Sequence, residues 1–179
     1  MRQGYTATGV KQIVETASAP FASLYHFFPG GKEELGAEVI RWSGQLYGQL
    51  IDVFYASGDD PVASTKAFFA GAADHLRETD YADACPIATV ALEVSSTSEP
   101  LREACADVFE AWTTELGKRL RSAGLPRKRS RDVALSLISL LEGAFVLARA
   151  TRSTEALDAA GASASALVRD AMVRRRDHA

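Results

Sequence analysis

The sequence predicts an all-α protein, and three observations carry that prediction. Apolar residues recur at spacings of three and four rather than two, the pattern of helices that bury one face. Glycine (13 residues) and proline (6) punctuate the chain sparsely, between such stretches. At 179 residues, 47% apolar and 24% charged, the chain has a globular composition and enough length for a substantial core, which excludes a wholly disordered or collagen-like protein.

The elements follow in order. From Thr8 to Ser18, Val10, Ile13, Val14 and Ala17 make one apolar face, with Thr8 placed as its N-cap. Ser18-Ala19-Pro20 breaks the pattern, and Phe21 to Phe28 resumes it with Leu24, Tyr25 and Phe28 on one side, ending at Pro29-Gly30-Gly31. Lys32-Glu33-Glu34 opens a long helix, whose Leu35, Val39, Trp42, Leu46 and Leu50 repeat at helical spacing until Gly58-Asp59-Asp60-Pro61. Pro61 suits the first turn of another helix, which runs to about Thr79 and carries Phe68, Phe69, Ala72 and Leu76.

After a loop from Asp80 to Cys85, Pro86 to Ser95 is a short apolar helix with one acid, Glu93. Ser98-Glu99-Pro100 initiates a long helix with Leu101, Cys105, Val108, Phe109, Trp112, Leu116 and Leu120 inward, and Gly124 ends it. Pro126 to Arg131 reads as a basic turn, its cations solvated. Asp132 to about Thr151 is apolar on nearly every side and needs cover all round. A small-residue helix from Ser153 to Arg176, interrupted by Gly161, finishes in three arginines that its C-terminal dipole favours.

Twenty basic and twenty-three acidic side chains give a net charge of −3, so the total alone announces no nucleic-acid or anionic-membrane partner. Cys85 and Cys105, with no secretory leader, fit a reducing cytoplasm and two small buried thiols. The most apolar stretch, Val133 to Ala148, is interrupted by Glu142 and falls short of the roughly 20 residues that span a bilayer, so a buried helix and no membrane partner are expected.

Two short helices joined by a tight turn form the helix-turn-helix arrangement that seats its second helix in a DNA major groove. The residues are Gly4-Tyr5-Thr6-Ala7-Thr8-Gly9-Val10, Ile13-Val14, Ala19-Pro20 and Ser23-Leu24-Tyr25-His26-Phe27-Phe28-Pro29-Gly30-Gly31-Lys32-Glu33-Glu34-Leu35. This resembles the DNA-binding head of the TetR family of one-component transcriptional repressors. Cys85-Pro86-Ile87-Ala88, Ala91-Leu92-Glu93, Phe109-Glu110-Ala111-Trp112, Leu141-Glu142-Gly143-Ala144 and Ala148-Arg149-Ala150 look like its LmrA/YxaF-like branch. The resemblance implies a head over residues 1–44 and a ligand-binding and dimerisation body over 45–179. It further implies a two-fold homodimer, a palindromic double-stranded operator and an inducer pocket in each body.

Thr8, at a helix start, offers a hydroxyl and backbone N–H groups to a phosphate, and Lys32, at the next helix start, can neutralise another. The Ser23 hydroxyl serves either a base or a phosphate. By resemblance, Tyr25 and His26 reach the DNA backbone and neighbouring bases, although Tyr25 suits a core equally well. Phe21 and Ala22 stand where the family commonly has lysine and glycine, which removes a donor; Phe21 meets a thymine methyl or folds back over the core. Residues 1–48 hold four basic and four acidic side chains, so the head binds DNA weakly by itself. The family places a further helix ahead of Gly4-Tyr5, where this chain has Met1-Arg2-Gln3. Unless the natural chain extends further and supplies that helix, the missing cover, at about 25 cal/mol per Å2 of apolar surface, predicts a marginally stable head.

In the body, Phe68, Phe69, Phe109, Trp112 and Leu116 either line a cavity for a hydrophobic or aromatic inducer or form plain core. The branch pattern adds Cys85 and Glu93, and His75 is a candidate polar contact. The helices Val133 to Ala148 and Ala156 to Val173 read as the dimer seam, with Glu142 requiring a partner where buried.

The sequence contains no Gly-rich phosphate loop, no His-x-x-x-His or Cys-x-x-Cys metal spacing and no nucleophile-elbow serine. An enzyme, a metal site and a cofactor are therefore not expected. The reading is a ligand-responsive repressor; its alternative is a small-molecule-binding helical dimer that has lost DNA binding.

Overall fold

Local chemistry starts most of the helices. The computed structural model describes residues 4–56 and 60–173, and among the described residues every regular element is an α-helix. They are α1 (Val10–Thr16), α2 (Phe21–Phe27), α3 (Gly31–Phe54), α4 (Pro61–Glu78), α5 (Pro86–Val94), α6 (Glu99–Ser122), α7 (Arg127–Thr151) and α8 (Glu155–Val173). Asp60 caps α4: its carboxylate accepts from the N–H groups of Val62 and Ala63, each at 3.0 Å, with Pro61 in the first turn. The Cys85 sulfur accepts from Ala88 N–H at 3.4 Å ahead of Pro86 and so caps α5.

Three expected boundaries are corrected. The N-cap of α1 is Gly9 rather than Thr8, because the Thr8 hydroxyl turns back to donate to the Gly4 carbonyl at 2.7 Å. The basic stretch after Pro126 is the first turns of α7, not a loop. Pro126 presets φ at −60°, the arginines and lysine are good helix formers, and Arg131 forks onto both Glu110 oxygens at 2.7 Å. Gly161 does not interrupt α8. It is buried against Phe69, where an added Cβ would stand 2.8 Å from the Phe69 Cβ, so glycine is what permits the approach. Arg174, Arg175 and Arg176, like Met1, Arg2 and Gln3, lie outside the described residues.

The chain forms two compact units, each built from two stretches. The first comprises residues 1–46 and 85–109, uniting α1, α2 and the start of α3 with α5 and the start of α6. Leu24, Ile40, Ile87, Val90, Leu101 and Cys105 are buried in it. The second comprises residues 47–84 and 110–179, in which α8 packs against both α4 and α7. Tyr55, Phe69, Leu76, Leu116, Leu120, Leu137 and Leu157 are among its buried side chains.

The buried face of α3 is not the one the leucine spacing predicts. Trp42 (65% exposed), Leu46 (49%) and Leu50 (42%) lie outside, while Ala37, Ile40, Ser43 and Gly44 are buried. Small residues let α6 come close: a Cβ at Gly36 would stand 3.1 Å from Leu101, and one at Gly44 would overlap both methyls of Val108.

By length and composition α7 could cross a membrane, being longer than the sequence pattern indicates. Eight of its 25 residues, Val133, Leu137 and Leu141 among them, are buried by the rest of the chain. Its cover is incomplete: Leu135, Val146 and Leu147 are each more than half exposed.

Candidate nucleic-acid interface

The helix pair α1 and α2 is joined by Ala17 to Pro20, with Ser18 in the left-handed region at φ 51°. Val14 and Leu24 are the buried anchors of the two helices. Fixing α2 through one leucine leaves its remaining faces free. Phe21 is 54% and Tyr25 49% exposed, their rings 5.8 Å apart, and Ala22 and His26 are exposed beside them. The His26 ring meets Phe27 edge-on at 4.9 Å, and Ser23 is half-buried. Tyr25 also abuts Gly31, whose φ of +67° begins α3. An exposed seven-residue helix carrying aromatic and polar tips has the dimensions and chemistry for a major groove.

Lys32 is half-buried, donates to the Tyr5 carbonyl at 2.7 Å and sits 4.0 Å above the Tyr5 ring. Burial, and secondarily the negative charge of Glu33, raises the Tyr5 phenol above its ordinary pKa. The Glu33 carboxylate accepts from the Ser98 hydroxyl, joining α3 to the turn before α6.

The candidate ligand residues are divided between the units. Cys85, Glu93 and Phe109 belong to the first, and Phe69, His75, Trp112 and Leu116 to the second. Phe69 and Leu116 are buried, His75 is exposed, and Trp112 lies against Gly48. Glu93 has a use that sequence reasoning missed: its carboxylate accepts from Thr6 N–H at 2.9 Å. Only the left-handed Gly4 beside it, unusual for any other residue, hints at this in the sequence.

Cys85 and Cys105 are free and buried, and burial pushes the Cys105 thiol up. A cleft of about 410 Å3 in the first unit is lined by Glu33, Glu34, Glu38, Glu103 and Arg41 and contains none of the candidate ligand residues. Among the described residues no group of three or more His, Cys, Asp or Glu is placed to hold a metal ion.

Two short helices in tandem, the second largely exposed, have the geometry of a helix-turn-helix. Residues 61–163, more than half the chain, match the family model for the C-terminal domain of LmrA/YxaF-like transcriptional regulators. The HTH-type transcriptional regulator YxaF of Bacillus subtilis is 35% identical over 145 residues, 81% of this chain and 76% of that protein. LmrA of the same organism, also an HTH-type transcriptional regulator, is 31% identical over 155 residues, covering 87% and 82%. In fold, the chain is similar to the crystal structure of regulatory protein TetR from Rhodobacter sphaeroides, with a TM-score of 0.79, 22% identity and coverage of 93% and 90%. The chain belongs to the TetR family of transcriptional regulators, in its LmrA/YxaF-like group.

Proposed function

We propose that this chain is a ligand-responsive repressor that binds a palindromic operator as a homodimer and is released by a hydrophobic or aromatic small molecule. The observation that carries the DNA-binding part is the exposed face of α2, where Phe21, Ala22, Tyr25 and His26 stand free of the core, with Ser23 half-buried between them. Lys32 flanks that face as a phosphate contact, and Thr8 joins it only by releasing the Gly4 carbonyl to which its hydroxyl donates. Lys32 keeps protons for this role after one serves Tyr5. Its relatives are named as transcriptional regulators, and this chain is read likewise as a regulator rather than an enzyme, acting in the cytoplasm.

The homodimer is supported by α7. Leu135, Val146 and Leu147 are exposed along it, and a Cβ added at Gly143 would meet nothing within 4 Å, which leaves room for a second helix to approach. Release requires the inducer to bind one head arrangement more tightly than the other. Within the second unit, Phe69, Trp112 and Leu116 are the proposed apolar contacts, with His75 as the polar one.

The alternative, a small-molecule-binding dimer without DNA affinity, draws on the even charge of the head and on Lys32 being turned toward Tyr5. Footprinting of the DNA upstream of the chain's own coding region, repeated at several salt concentrations, separates the two. The repressor protects a symmetric site and loses it steeply with salt. Ligand binding without protection at any salt concentration establishes the alternative.

A further inference from the structure

We propose that Glu93 is a positioning residue for the DNA-binding helices and not an inducer contact. This rests on the regulator reading above. Its carboxylate accepts from Thr6 N–H at 2.9 Å, four residues before α1, a charge-assisted bond to backbone that no helix otherwise satisfies. The approach is possible because Gly4 lies alongside. At φ +72° it adopts a conformation other residues resist, and a Cβ built there would fall on the Glu93 carboxylate.

The rest of the segment is fastened just as closely. The Thr8 hydroxyl donates to the Gly4 carbonyl, Thr8 N–H donates to the Tyr5 carbonyl at 3.2 Å, and Lys32 holds that same carbonyl from α3. Residues 4–8 thus form a short strap, pinned at Thr6 by α5 and at Tyr5 by α3, that fixes where α1 begins. Through the turn at Ser18 it also fixes where α2 points.

Glu93 lies within the stretch that matches the family's C-terminal domain, whereas Thr6 precedes α1. A displacement of α5 therefore reaches the DNA-binding pair through one carboxylate, without passing along α3. The requirement is geometric: an acceptor at the length of a glutamate side chain. Charge is secondary.

The test uses the full chain in four forms, wild type, Glu93→Ala, Glu93→Gln and Glu93→Asp. Amide exchange over residues 4–16 reads the strap, and binding to a labelled duplex from the region upstream of the chain's own coding sequence reads its use. Expected in Glu93→Ala is exchange about tenfold faster and duplex binding about tenfold weaker at an unchanged thermal midpoint, the loss of one hydrogen bond. Glu93→Gln, which keeps the acceptor in place, stays within about twofold of wild type; Glu93→Asp, too short to reach, behaves like alanine.

Unchanged exchange in the alanine variant, or glutamine as damaging as alanine, overturns the proposal while leaving the regulator reading intact. Faster exchange with undiminished duplex affinity overturns it as well, since the bond is then a local fastener alone. A wild type with no salt-dependent binding to the duplex overturns the regulator reading itself, and with it the use assigned to the strap.

Discussion

The indole of Trp112 rides over Gly48, close enough that a Cβ on Gly48 would stand 3.2 Å from the indole Nε1. One turn earlier in α3, Gly44 receives Val108 still more tightly, and two turns before that Gly36 receives Leu101. These glycines and Ile40 share one face of α3 at four-residue spacing, the ridge geometry of close helix packing. Gly44→Ala therefore forces α3 and α6 apart and destabilises the protein by about 1–3 kcal/mol. Gly48→Ala meets a gap tight by only a few tenths of an ångström and recovers up to about 1 kcal/mol of helix propensity, so it is close to neutral. Chemical denaturation of the two variants checks the ordering.

Phe21→Ala removes an exposed ring from α2 and so abolishes tight operator binding while leaving the thermal midpoint within a few degrees of wild type. Lys32→Met removes a phosphate contact and lowers the slope of log affinity against log salt by about 0.9. It also loosens Tyr5, which appears as faster proteolysis near the N-terminus. Anisotropy titrations at four salt concentrations give both the affinity and the slope.

Leu147→Glu places a charge on the exposed apolar face of α7. The wild-type chain is expected to elute with the mass of two copies and this variant with that of one, at unchanged helical content by circular dichroism. Light scattering coupled to gel filtration distinguishes the two masses directly.

Tyr55 supplies a pH signature. It is 2% exposed, and its hydroxyl lies 2.7 Å from that of Thr65, whose own proton goes to the Pro61 carbonyl. Tyr55 is therefore the donor in this chain of hydrogen bonds. Burial pushes its pKa up to about 12 from 10.0. The unfolded chain loses the proton first. The stabilisation is therefore complete below about pH 10 and is lost as pH rises toward 12, by roughly 3 kcal/mol at the upper end. Tyr55→Phe flattens that limb, as denaturation midpoints between pH 9 and 12 will record.

The fold class and the order of helices were legible because apolar spacing and proline signals are local. Pro61, Pro86 and Pro126 each lie at a helix start, and Asp60 and Cys85 act from the residue before. What escaped local reading was which face of a helix its neighbour would choose. On α3 the leucine and tryptophan stripe looked inward by hydrophobicity, yet α6 took the glycine face because closeness outweighs side-chain size there. The part played by Glu93 was hidden for a related reason: its partner is a backbone N–H 87 residues away, which leaves no mark at either position except the glycine that makes room. The exposed side chains of α2 were readable only as a motif, since nothing in their spacing says which of them the core would claim.

The first compact unit joins residues 1–46 to residues 85–109. Reading heads cannot therefore be exchanged between such regulators by splicing at a single point. A chimera cut after Leu46 takes α1, α2 and the start of α3 from one parent and their bracing partners, Glu93, Ser98 and Leu101, from the other. A graft that transplants both stretches together keeps those partners matched.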